Sequence, residues 1–159
     1  MTITSSSWRI FFLGALTAIS LSLPSIAQEK KIKRSDLPPA VEKAVSSLSA
    51  GAGITGFSEE REKGQTFYEV QMVVDGHTKD LLMDRTGAVV EVEEEAAMDK
   101  LPDKVRQGLL AKAKQGKLTK VESLTKHDKL VAYEAQVVTD GVKSEVQVGP
   151  DGMRLDHEE

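Results

Sequence analysis

The stretch Tyr68-Glu69-Val70-Gln71-Met72-Val73-Val74-Asp75-Gly76 returns as Tyr133-Glu134-Ala135-Gln136-Val137-Val138-Thr139-Asp140-Gly141, at an offset of 65 residues. Each copy alternates side chains with period two, as a half-buried strand does. Tyr68, Val70, Met72 and Val74 share one face; Phe67, Glu69, Gln71 and Val73 share the other. The Asp-Gly that closes each copy is a strong signal for a tight two-residue hairpin.

Working outward, the duplication extends along the chain. Asp84-Arg85-Thr86-Gly87-Ala88 answers Gly149-Pro150-Asp151-Gly152-Met153 at the same offset. Upstream, Leu37-Pro38-Pro39-Ala40-Val41 answers Leu101-Pro102-Asp103-Lys104-Val105, and Ile54 to Phe57 answers Leu118 to Val121, at an offset of 64. One residue was therefore inserted between Val121 and Tyr133. Leu37, Val41, Val45 and Leu48 form a helical apolar stripe, as do Leu101, Val105, Leu109 and Ala113. Asp36 and Asp99 are the expected N-caps, Pro38 and Pro102 suit a first turn, and Gly51 and Gly116 stop the helices.

Four strands are expected after each helix: 54–61, 66–74, 77–84 and 88–94, then 118–125, 130–139, 142–148 and 153–157. Short turns make them antiparallel neighbours. The predicted fold class is α+β: two tandem modules, each a helix plus a four-stranded antiparallel meander, with the helices on one side of the sheet. The modules span residues 36–95 and 99–159, after a flexible charged lead-in over residues 28–35. Leu81, Met83, Ala88 and Val90 are expected to join the helix-facing set in the first module, and Val146, Val148, Met153 and Leu155 in the second.

Residues 1–27 read as a cleavable signal peptide. Arg9 precedes an apolar run from Ile10 to Leu23, then Pro24 and a Ser25-Ile26-Ala27 site follow. The run is too short for a comfortable membrane span, so no stable anchor is expected after cleavage at Ala27. The expected location is the periplasm or the medium. The chain holds 21 Lys+Arg and 25 Asp+Glu, and the leader removes Arg9, leaving a charge near −5. That balance argues against nucleic acid as a partner. With no cysteine, stability must come from packing rather than disulfides.

Each copy resembles a PepSY-type domain, and the tandem resembles the PepSY-like, β-lactamase-inhibitor-like secreted bacterial proteins. The resemblance rests on Leu37-Pro38 with Ala40-Val41 and Ala44-Val45, on Tyr68-Glu69-Val70, and on Asp84-x-x-Gly87-x-Val89. In the second copy it rests on Leu101-Pro102, Tyr133-Glu134 and Pro150-Asp151-Gly152, with Ala135 replacing the strand valine and Gly149 the turn aspartate. It implies a helix-on-sheet fold and a non-catalytic role, binding or restraining another exported protein such as a peptidase.

No catalytic constellation, metal-ligand spacing or phosphate loop is present in the sequence, so no enzyme activity, cofactor or metal is expected. His77, His127 and His157 share no ligand spacing. Glu69 and Glu134 have no visible orienting partner for acid–base work. The acidic runs at Glu91–Glu95 and Asp156–Glu159 read as charged strand edges or as weak calcium sites. The expected partner surface is Phe67, Val73, Leu82 and Val89 on the helix-free face, rimmed by Glu69 and Gln71. Self-association through that face is the competing use, and a periplasmic small-ligand or cation (calcium) binder is the alternative function.

Overall fold

The computed structural model describes residues 28–157 and 159. The expected signal peptide lies outside the described residues. Eight strands form one antiparallel sheet in chain order. They are β1 (Gln28–Lys31), β2 (Gly53–Glu62), β3 (Gln65–Val74), β4 (His77–Asp84), β5 (Val89–Glu95), β6 (Lys117–Lys126), β7 (Lys129–Thr139) and β8 (Val142–Val148). Helix α1 (Pro39–Leu48) joins β1 to β2, and helix α2 (Asp103–Ala113) joins β5 to β6.

This architecture overturns the expectation of two helix-plus-four-stranded modules. β5 was expected to end the first meander. Instead it is an interior strand, paired with β4 on one edge and with β6 on the other, from Glu91 opposite Lys126 to Glu95 opposite Glu122. An edge strand leaves a row of N–H and C=O groups unpaired, and this pairing satisfies them. The acidic run Glu91–Glu95 is therefore no edge. Residues 153–157 form no strand either, and Met153, expected to face the helix, is 66% exposed.

The duplication has a different phase in three dimensions: strand, helix, three strands, twice over. The lead-in supplies β1, which matches β5. Ile32 N donates to Phe57 O, and Ala96 N donates to Val121 O, each residue 64 positions after its counterpart. The 3-10 turns at Arg34–Asp36 and Met98–Lys100 obey the same offset. These turns take up Asp36 and Asp99, so Pro38 and Pro102 occupy the N-cap positions expected for the aspartates.

Four hairpins close on two-residue turns with both residues at positive φ: Lys63-Gly64, Asp75-Gly76, His127-Asp128 and Asp140-Gly141. Such turns match the right-handed strand twist and lock the register. That register carries one face across the whole sheet. Val70 lies opposite Leu81, Leu81 opposite Val92, Val92 opposite Thr125, and Val121 opposite Ala135. Both helices cover this face. Val41 and Val45 pack with Tyr68, Val70, Met72, Leu81 and Met83. Val105 and Leu109 pack with Val121, Ala135 and Val148. Each such buried aliphatic contributes about 1.5–3 kcal/mol. Leu48, at the end of the first stripe, is 50% exposed instead.

Two equivalent glycines dock the turns against the helices. A Cβ on Gly87 would lie 2.6 Å from Ala40 O, and one on Gly152 would collide with Lys104 O. Both glycines have positive φ, so no other residue fits without strain.

Candidate functional site

A bulge decides which valine reaches the helix-free face. Leu82 pairs with Glu91 but Met83 pairs with Val89, leaving Val90 as the extra residue of β5. The extra residue shifts the alternation. Val89, expected on the open face, packs against the α1 core. Val90, expected in the core, lines a groove on the opposite face. Ala88, also expected inward, is exposed in the turn.

Phe67, Glu69, Gln71, Val73 and Leu82 do lie on the helix-free face, by the same register that buries Tyr68, Val70 and Leu81. The groove there has a volume of about 700 Å³ and is floored by Phe67, Leu82 and Val90, with Glu91, Lys126 and His127 along it. It lies at the end of the sheet where the β2–β3, β4–β5 and β6–β7 turns converge. Asp84 shapes the middle turn: its Oδ1 accepts from Thr86 N at 2.8 Å, Thr86 Oγ1 at 2.6 Å and Ala88 N at 3.1 Å. The Thr86 hydroxyl and these amides hold the Asp84 carboxyl below its ordinary range.

Beside the groove the register assembles carboxylates from strands distant in sequence. Asp80 on β4 lies opposite Glu93 on β5, and Glu95 opposite Glu122 on β6. Oxygens of Asp80, Glu93 and Glu122 fall within 4.8 Å of one another. Glu60, Glu69, Asp80, Leu82, Glu91 and Glu93 line a cleft of about 60 Å³. Leu82 and Glu91 also line the groove, so the two spaces adjoin.

The electrostatics follow from burial and like-charge crowding. Burial pushes the Glu93 carboxyl up to about 8, helped by Glu122, Glu91, Glu134 and Asp80. Burial raises Glu60 to about 7, with Glu69 and Glu29 adding to it. Asp80 rises to about 6 through burial and Glu69, opposed by Lys120. Glu69, expected at the rim, accepts from Ser58 Oγ at 2.5 Å and from Gln71 Nε2 at 3.3 Å. Glu122 is 6% exposed. Lys120 Nζ approaches its Oε1 at 2.6 Å, an ion pair without hydrogen-bond alignment.

The second half treats the same face differently. Its counterparts of Phe67 and Leu82 are Ala132 and Gln147. Ala132 and Leu124 are buried there. Gln147 Nε2 donates to Glu134 Oε2 at 2.7 Å, and Glu159 N donates to Gln147 Oε1 at 2.9 Å, so the chain's own residues occupy this half. Arg154, expected on this face in a fourth strand, is exposed outside the sheet. The histidines are not brought together. His77 lies at the β3–β4 hairpin, His127 at the opposite end of the sheet, and His157 is exposed.

The carboxylate cluster is invisible to motif reading, because its members meet across strands and never along the chain. Its one signal is the alternation Glu91-Val92-Glu93-Glu94-Glu95, which puts Glu91, Glu93 and Glu95 on a common face.

No family model and no curated protein matches the sequence. Solved structures do. A protein of Bacteroides eggerthii proposed to be periplasmic superposes with a TM-score of 0.60 at 18% identity, covering 74% of this chain and 84% of its own. A DUF2874 family protein from Bacteroides ovatus gives 0.59 at 18% identity, over 76% and 85%. A BLIP-like protein from Bacteroides fragilis gives 0.54 at 20% identity, over 77% and 86%. The chain shares the fold of these proteins.

Proposed function

We propose that the protein is an exported, non-catalytic binding module that holds another exported protein, such as a peptidase, on the helix-free face of its first half. The supporting observation is the asymmetry of the duplication. One sheet face carries an open groove on Phe67, Leu82 and Val90 in the first half, while the second half fills the equivalent face with Gln147, Glu134 and Glu159. A face that needed only solvation has no use for an apolar floor. The PepSY-type resemblance of each half, the signal-peptide pattern and the fold shared with a BLIP-like protein favour the same reading and a periplasmic location.

The test places a photo-crosslinker at Phe67 and captures partners from the periplasm of the source cell. A protein cross-linked through Phe67 and lost from a Phe67→Ser/Leu82→Ser variant supports the proposal. That variant should stay folded and keep its oligomeric state. A cross-link only to a second copy of the chain would assign the face to self-association instead.

The proximity of Asp80, Glu93 and Glu122 favours a second reading, a hard-cation site of the calcium type. Saturable calcium uptake in equilibrium dialysis, lost in Glu93→Gln, would establish it.

A further inference from the structure

We propose that the groove receives an extended partner segment that rests an apolar side chain on Phe67, Leu82 and Val90 and inserts an adjacent lysine or arginine into the carboxylate cleft between Glu60, Glu69, Asp80 and Glu93. This deepens the protein-binding reading above and rests on it.

Charge complementarity selects the occupant. Glu60, Glu69, Asp80, Glu91, Glu93 and Glu122 crowd one patch. Lys120 is engaged with Glu122 at 2.6 Å, and Lys126 with Glu91 at 3.5 Å and Glu159 at 3.9 Å, while Arg85 and His127 line the adjoining groove rather than the cleft. Lys31 sits exposed on β1 at the sheet edge, beyond Ser58. Among the described residues no Lys, Arg or His forms an ion pair with Glu60, Asp80 or Glu93. Burial, with crowding by like charges, keeps protons on these carboxylates near neutral pH.

The shape selects a side chain over a bare ion. The cleft of about 60 Å³ has room for an ammonium or guanidinium head. Leu82 forms a wall of both cleft and groove, so the methylene stem of a lysine or arginine would cover it on the way in. The ammonium of Lys120 already serves Glu122, one of the three carboxylates a metal would need. Bidentate contacts suit arginine best in such a place. Occupation drives protons off Glu60 and Glu93, so binding at pH 7 releases protons.

The test is a selection of displayed random twelve-residue peptides on the full-length mature protein, counter-selected on Phe67→Ser/Leu82→Ser. The expected groove-dependent binders carry a lysine or arginine beside an apolar residue. Replacing that basic residue by norleucine in a synthetic peptide should weaken binding roughly thirtyfold or more, and Glu60→Gln/Glu93→Gln should weaken it roughly tenfold. Calorimetry at pH 7 in buffers of different ionisation enthalpy should register proton release. Groove-dependent binders without a basic residue, or norleucine peptides that bind equally, would overturn the basic anchor while leaving the protein-binding groove intact. Absence of any groove-dependent binder would remove both. Saturable calcium binding that displaces the peptides and disappears in Glu93→Gln would reassign the cleft to a cation and overturn the proposal.

Discussion

Lys120 Nζ stands 2.6 Å from Oε1 of the buried Glu122, and among the described residues no other cation lies within ion-pair distance of that carboxylate. Removing one partner of a buried pair strands the other charge. Lys120→Met should therefore cost about 2–3 kcal/mol, and the double variant Lys120→Met/Glu122→Leu should recover most of it. Chemical denaturation of the three proteins checks the cycle. A single variant as stable as wild type would show that the pair is dispensable.

Stability should peak near pH 4 and fall from there to about pH 8, most steeply below about pH 6, where all three raised groups still hold their protons in the folded state. Glu60, Asp80 and Glu93 have folded-state values raised to about 7, 6 and 8, against ordinary values of 4.5, 3.8 and 4.5. Over that window the folded state binds more protons than the unfolded one, so unfolding free energy declines as pH rises. The raised groups contribute fully below the unfolded values and lose that contribution through their folded values. Asp84 and Glu95, held low by hydrogen bonds from Thr86 and Thr78, act oppositely and lose theirs only as pH falls below the carboxylate range. Glu93→Gln should raise the melting temperature at pH 8 by roughly 4 °C and flatten the slope. Melting curves from pH 5 to 8 decide it; a wild type that gains stability toward pH 8 contradicts the crowding.

The bulge at Val90 separates neighbouring valines. Val89→Ser should destabilise by about 1–2 kcal/mol because Val89 packs on the α1 core. Val90→Ser should stay within about 0.5 kcal/mol, because Val90 faces the groove. The reverse ranking in urea unfolding would place the bulge elsewhere.

Gly87→Ala and Gly152→Ala should each cost about 2 kcal/mol or more. Each methyl would meet a helix carbonyl, of Ala40 or Lys104, and each backbone sits at positive φ. Gly64→Ala shares the positive φ but has open space around its Cβ, so it should cost less. Equal losses at all three would show that φ alone matters.

Val41→Asp should destabilise by about 2–5 kcal/mol, since Val41 is 1% exposed and packs among apolar side chains such as Val70 and Leu81. Thermal melting beside wild type would refute the packing of α1.

By itself the sequence determined the local elements. Period-two alternation marked β3 and β7, the apolar stripes marked α1 and α2, and Asp-Gly located two of the hairpins, because these signals are carried by residues a few positions apart. The same alternation put Phe67, Glu69, Gln71, Val73 and Leu82 on one face. Only the tertiary structure decided what depends on the pairing partner. Whether Glu91–Glu95 is an edge or a centre turns on whether β6 adds to β5, and the chain between them spells no such instruction. That pairing fused the two halves into one sheet; β1, from the charged lead-in, joins it separately against β2, and residues 153–157 lie outside it. One extra residue at Val90 exchanged the roles of two identical side chains. The carboxylates of the cleft come from β2, β3, β4 and β5, with Glu122 on β6 beside them, and share a place only because hydrogen-bond register brings distant residues together across the strands.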